Sequence, residues 1–105
     1  MPPQGRWYKM RLVQPTDFDI LRQLADGKRD NASNIASHLD RNRAYINTRL
    51  PVLADYDLLT RVGPAPKSGL YVITERGQAA VACQEEYGPD VDFEAVIDSY
   101  LAEAE

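Results

Sequence analysis

Residue types able to recognise a polar, charged polymer are concentrated between positions 41 and 49 of this 105-residue chain. Guanidinium groups bond to guanine or pair with phosphate, the asparagine amide matches adenine, and small apolar groups or rings fit the methyl group of thymine. These types occur together as Arg41, Asn42, Arg43, Ala44, Tyr45, Asn47, Thr48 and Arg49. The cluster predicts a surface that binds double-stranded DNA.

A helix that begins after Asn42 would present this cluster to solvent. On such a helix Ile46, Leu50 and Leu53 recur at i, i+4 and i+7 and form one apolar stripe. Asn42 can cap the first turn, because its side-chain oxygen can accept a free backbone N–H. Pro51 removes one backbone bond from the helix, so a kink or a break is expected there.

Two shorter helices are expected before this one, as its scaffold. Thr16 has the residue type of an N-cap, and Gly27 that of a helix end. A second helix, capped by Asn31 or Ser33, should run to about Asp40. Residues 40–42 then form the turn into the third helix.

Two strands, at residues 58–63 and 69–74, are predicted to follow as a β-hairpin. The loop between them contains two prolines, which stiffen its tip and hold it away from the sheet. Lys67 and Ser68 at this tip could hold a phosphate, and Arg41 and Arg61 are also placed for phosphates. The alternative is an ordinary connecting loop. The sequence predicts a mainly α fold with a small β-hairpin, arranged as a winged helix-turn-helix.

The last third of the chain is expected to form two helices, one capped by Thr74 that runs from Glu75 to about Tyr87 and one from about Val91 to Ala104. The second is amphipathic. Its apolar stripe either packs on its own domain or contacts a second copy in a homodimer, and the latter is favoured. The N-terminal arm either touches phosphate, contacts a second copy, or simply lets its tryptophan cover the core, which is favoured. The candidate dimer residues are Trp7, Phe93, Val96, Ile97, Tyr100 and Leu101.

Charge divides the chain into parts of opposite sign. The formal net charge is −4, yet residues 1–14 carry +3 and residues 41–76 carry six basic against three acidic side chains. Residues 77–105 carry eight acidic side chains and no basic one. Because the local field steers association more than the total does, the net charge does not argue against DNA binding. We expect a basic arm (1–14), a DNA-binding domain (15–87) and an acidic C-terminal helix (88–105).

Composition adds expectations about the environment. Nine arginines against three lysines, and ten aspartates against six glutamates, favour a protein adapted to high salt, although small-sample drift could give the same bias. The single cysteine, Cys83, excludes an internal disulfide. There is neither a signal-peptide core nor a long apolar run, so we expect a soluble cytoplasmic protein.

A resemblance to a known family supports the winged-helix prediction. The run NIASHLDRNRAYINTRLPVLADYDLLTRVGPAPKSGLYVITERG resembles haloarchaeal winged-helix proteins similar to the phage phi-H repressor, and more distantly ArsR- and MarR-type regulators. The likeness covers about residues 15–87 and implies DNA binding by a homodimer, with residues 43–49 as the reading helix and 64–69 as the wing. Relatives usually carry Gly where this chain has Asp57, a residue that tolerates a left-handed conformation better than most.

Other classes of function have less support. The lone His38 has no partner for metal binding or nucleophilic catalysis, and no glycine loop could cradle a phosphate. We therefore expect no enzyme activity, cofactor, metal, membrane contact or small-molecule ligand. The main alternative is a winged-helix module that binds another protein without binding DNA, and the acidic C-terminal segment could serve that purpose.

Overall fold

The computed structural model describes residues 10–63 and 69–104. Within these ranges the chain is mainly helical, with one small antiparallel hairpin, which confirms the predicted fold class at this level. The helices are α1 (Thr16–Gln23), α2 (Ala32–Leu39), α3 (Arg43–Asp55), α4 (Glu75–Ala82) and α5 (Phe93–Ala104), and the strands are β1 (Leu59–Val62) and β2 (Leu70–Ile73). No helix in these ranges has the length and hydrophobicity needed to cross a membrane.

The bounds of α1 differ from the prediction at both ends. Thr16 is not the N-cap: Pro15 occupies that position, and no side chain caps the helix. The backbone N–H groups of Asp17 and Asp19 are already bonded to the carbonyls of Val13 and Pro15, at 2.8 and 2.9 Å, so the first turn needs no hydroxyl. The predicted C-terminal end at Gly27 was also wrong. Helix α1 ends at Gln23, and the chain continues in tight turns to Gly27.

The cap of α3 is the one that the sequence predicts, and the cap of α2 is Asn31, one of the two predicted candidates. Asn31 and Asn42 each use the side-chain oxygen to accept a backbone N–H three residues on, at 2.9 and 3.0 Å. Between them the turn contains Asp40 in the left-handed region, with φ 54°. The helix α3 continues through Pro51 to Asp55, so the predicted break does not occur.

The two strands pair in the register Leu59 to Ile73 through Val62 to Leu70. Asp57 precedes them with φ 68°, so it adopts the left-handed conformation that glycine would favour. A further bridge joins Asp30, in the α1–α2 loop, to Tyr71 of β2 through bonds of 3.0 and 2.8 Å. The hairpin is therefore fastened to the loop before α2 as well as to the end of α3.

Helix α4 packs closely against the hairpin at Gly77. A Cβ at this glycine would overlap the carbonyl oxygen of Leu58 and the side chain of Ile73. As predicted, Thr74 caps α4, since its hydroxyl accepts the N–H of Gly77 at 3.0 Å. The expected end near Tyr87 was wrong: α4 ends at Ala82, and a 3-10 turn at Gln84–Glu86 follows.

The C-terminal helix joins the core through aromatic contacts. Tyr87 lies beyond the end of α4 and packs edge-on against Phe18 and Phe93, with ring centroids 5.7 and 5.1 Å away. Phe18 and Phe93 meet in the same way at 5.9 Å. Since aromatic rings are among the largest contributors of buried apolar area, this trio anchors the start of α5 to α1.

Candidate nucleic-acid interface

The apolar stripe of α3 is buried and fixes which face of the helix is presented to solvent. Ile46, Leu50 and Leu53 are each 0 % exposed, as the sequence predicts. The opposite side is exposed and is here called the outer face of α3; it consists of Arg43, Ala44, Tyr45, Asn47 and Thr48, with Asn42 at its start.

Side chains of the outer face differ in how far they are committed to bonds within the protein. The amide oxygen of Asn42 accepts the backbone N–H of Tyr45 as the helix cap, and the Thr48 hydroxyl donates to the carbonyl of Tyr45 at 2.6 Å. Within the described ranges, Arg43 and Asn47 are exposed and their side chains make no hydrogen bond or ion pair. The guanidinium of Arg43 and the amide of Asn47 therefore retain all their bonding capacity for a ligand.

Arg49 lies in a different setting from the exposed edge that the sequence indicated. Its Nε and Nη2 donate to Oδ1 and Oδ2 of Asp17 at 2.9 and 2.7 Å, and its side chain is 16 % exposed. The bond to Asp17 raises the pKa of the Arg49 guanidinium, against a smaller opposing effect of burial. Arg49 is thus a partner of a buried carboxylate in this structure.

Arg41 is held by the same end of α1. It donates to the Thr16 hydroxyl at 2.6 Å and to Asp19 Oδ2 at 2.8 Å, and its side chain is 30 % exposed. Asp19 also pairs with Arg22 at 2.6 Å. Two of the arginines expected to contact DNA are therefore bonded to carboxylates of α1.

Arg61, the candidate phosphate contact on β1, is exposed but associated with Tyr71 across the hairpin. Its guanidinium carbon is 5.3 Å from the ring centroid, and Nη2 donates to the tyrosine hydroxyl at 2.6 Å. The candidate residues Lys67 and Ser68 of the loop, and Trp7 of the arm, lie outside the described residues.

The dimer candidates of α5 separate into core and surface. Phe93 and Ile97 are each 0 % exposed within their own chain, so the expectation that they contact a second copy is wrong. Val96 and Leu101 are partly buried against that core, and Tyr100 is 44 % exposed. Tyr100 lines two open grooves of about 520 and 440 Å³, which α5 forms with α4 and with the turn after α4.

Sequence reasoning missed the roles of Asp17 and Asp19 as the partners of Arg49 and Arg41. A signal was present for Asp17: it precedes Leu21 and Leu24 by four and seven positions, which places it on the buried stripe of α1. A carboxylate on a buried stripe needs a cationic or N–H partner, because an unpaired buried charge is costly. The pattern could not say that the partner would be Arg49.

A scan against protein-family models and searches of curated proteins and of solved structures found no match to this chain.

Proposed function

We propose that the chain is a winged helix-turn-helix protein that binds specific double-stranded DNA sequences and regulates transcription, most simply as a repressor. In this proposal α2, the turn at residues 40–42 and α3 form the helix-turn-helix, and α3 enters the major groove. The hairpin that follows is the wing and lies against the phosphates. The proposal concerns binding, and it assigns the chain no enzyme activity or cofactor.

One observation carries the proposal. The outer face of α3 exposes a guanidinium and a carboxamide, those of Arg43 and Asn47, that no group in the described ranges engages. Four residues apart on a helix, they lie on the same side and about 6 Å apart along the axis, close to two base-pair steps. Arginine and asparagine bond best to guanine and adenine, so the face has the chemistry to read sequence.

A homodimer is part of the proposal, since helix-turn-helix proteins bind two-fold sites as dimers. The surface we assign to the contact is the remaining exposed part of α5, centred on Tyr100 with Val96 and Leu101 beside it. The acids on this helix nearest α4 are partly neutralised within the chain, because Arg76 pairs with Glu94 and also with Asp98, at 2.6 Å. The same helix can therefore approach its copy with less repulsion than its composition implies.

The test is selection of bound duplexes from random sequence, followed by fluorescence anisotropy with the selected duplex. Arg43→Ala and Asn47→Ala should each weaken binding about 5- to 100-fold, the loss expected of one base contact. Arg22→Ala is the matched control: it removes one arginine from α1, where the side chain is 45 % exposed, and should leave affinity unchanged. A selection that enriches no sequence, or unchanged binding by both α3 variants, would refute the proposal.

A second candidate, a protein-binding module without DNA binding, has one observation in its favour. Tyr100 is an exposed aromatic that lines two grooves on an otherwise acidic segment, and exposed aromatics are enriched in protein interfaces. The selection experiment separates the two candidates, because a module of this kind would enrich no duplex at any salt concentration.

A further inference from the structure

The carboxylate of Asp17 connects three separate parts of the chain. Its Oδ2 accepts the backbone N–H of Val13 at 2.7 Å and Nη2 of Arg49 at 2.7 Å, while Oδ1 accepts Nε of Arg49 at 2.9 Å. Asp17 itself is 0 % exposed. It thereby joins the segment before α1, helix α1 and helix α3 at one buried point.

This ion pair is directional in a way that the apolar contacts of α3 are not. Burial of Ile46, Leu50 and Leu53 fixes which side faces inward, but hydrophobic contact has no preferred angle and tolerates some rotation. A bidentate pair between a guanidinium and a carboxylate holds both planar groups in one geometry. Since Arg49 lies roughly 120° around the helix from Arg43, holding it sets the direction in which the outer face points.

The same pair keeps Arg49 away from an approaching phosphate. Two of its N–H donors are used by Asp17, its side chain is 16 % exposed, and separation would leave a carboxylate buried without its charge partner. A DNA phosphate would therefore have to displace the buried carboxylate of Asp17 in order to bind the guanidinium of Arg49.

We propose that Asp17 is a positioning residue for the DNA-binding face: through Arg49 it sets the rotation of α3, and it excludes Arg49 from the phosphate contacts. This inference rests on the proposed function and deepens it. It replaces the sequence-based assignment of Arg49 to the DNA surface with a role inside the protein. Arg43 then remains as the α3 arginine that meets DNA.

The test compares Asp17→Asn, Arg49→Gln, their double variant and Arg43→Gln in binding to the selected duplex and to a shuffled duplex over a range of salt concentrations. Each single change at Asp17 or Arg49 should lower the ratio of the two affinities about tenfold, as one base contact is misaligned. The double variant should lose no more than either single variant, because both remove the same interaction. The slope of log affinity against log salt should stay at the wild-type value for Arg49→Gln, since no phosphate contact is lost.

Three results would overturn the inference. A slope that becomes shallower by about 0.9 in Arg49→Gln would make Arg49 a phosphate contact. Tighter binding of the selected duplex by Asp17→Asn, with the ratio of the two affinities unreduced, would mean that the pair does not set the rotation of α3. Unchanged selectivity in both variants, at a temperature where circular dichroism shows them folded, would leave the pair with a role in stability alone.

Arg49→Lys covers the case in which the other variants do not fold. It keeps a positive charge beside Asp17 but cannot form the bidentate bond. Selectivity should fall while the salt slope is unchanged, and wild-type selectivity in this variant would refute the positioning role. If the wild-type chain enriches no duplex, both the proposed function and this inference are refuted. If the wild type is selective and the variants are equally so, only the inference fails.

Discussion

Arg49 of α3 and Asp17 of α1 form a bidentate ion pair across 32 positions of sequence, with bonds of 2.9 and 2.7 Å and a fully buried carboxylate. Ion pairs of this kind cost much when one partner is removed, because the remaining charge stays buried. The pair is therefore both a link between two helices and a point where single substitutions should be severe.

Removal of the Arg49 side chain should destabilise the protein strongly. We expect Arg49→Ala to lower the free energy of unfolding by about 3–5 kcal/mol in urea denaturation, the range for a broken buried pair. The exposed pair of Arg22 supplies the control, since Arg22→Ala should cost less than about 1 kcal/mol. The double variant Asp17→Leu/Arg49→Met should recover part of the loss, because it removes both charges but also takes the acceptor from the N–H of Val13. Equal costs for Arg49→Ala and Arg22→Ala would contradict this prediction.

Gly77 should not tolerate a methyl group. Alanine favours a helix over glycine by up to about 1 kcal/mol, yet a Cβ here would overlap the carbonyl oxygen of Leu58. That carbonyl accepts the N–H of Thr74 at 3.1 Å, so it cannot turn away without loss. We expect Gly77→Ala to destabilise by about 1–3 kcal/mol in thermal or urea unfolding. Gly88→Ala is the control, because its Cβ would meet only Val91 at 3.6 Å, an ordinary contact, and stability should barely change.

The parts of the fold that sequence could predict are those set by neighbours in the chain. The caps Asn31, Asn42 and Thr74 act through N–H groups three residues away, and the stripe of α3 repeats within eight positions. In each case all the interacting residues lie within a few positions of one another in the sequence. For this reason the start of α3 and the two strands were predicted closely.

The parts that could not be predicted depend on which elements meet. The periodicity of α5 indicated an apolar face but not which surface packs against it. In the structure, Phe93 packs on Phe18 and Tyr87 of its own chain. Arg49 had the residue type of a DNA contact, yet α1 brings a carboxylate to it. Residue type therefore indicates what a side chain can bind, whereas tertiary packing decides whether that capacity is already used.

Alkaline pH should destabilise the fold through Cys83. Burial, reinforced by the negative charge of Glu86, raises the pKa of the Cys83 thiol above its ordinary value. In the unfolded chain the thiol loses its proton above about pH 8.5 while the folded one keeps it, so stability falls as pH rises, by at most about 1.4 kcal/mol per pH unit. Urea unfolding between pH 8 and 10 should show a steeper decline for the wild type than for Cys83→Ala. Identical profiles would mean that the thiol does not contribute.

Tyr100 should control the oligomeric state. In the proposed dimer its ring, 44 % exposed in a single chain, is covered by a second copy, so a charge there should prevent association. Tyr100→Glu is expected to sediment as a monomer in analytical ultracentrifugation at concentrations where the wild type is a dimer. Tyr45→Glu is the matched control, because Tyr45 is 40 % exposed on α3: its mass should stay dimeric while DNA binding is lost. A wild type that is monomeric at all concentrations would refute the α5 contact.

Under the proposed function, the salt dependence of DNA binding should be shallow. Arg41 and Arg49 are engaged by carboxylates of α1, which leaves Arg43 as the α3 cation without a partner in the described ranges. Each phosphate contact contributes about −0.9 to the slope of log affinity against log salt, so with Arg61 and Lys67 of the wing as the phosphate contacts we expect about −2 per copy. We therefore expect binding to persist in concentrated salt, where counterion release contributes little. Anisotropy titrations from low to molar potassium chloride measure the slope. A value near −8 per copy would show that many more cations reach the backbone than this arrangement of ion pairs permits.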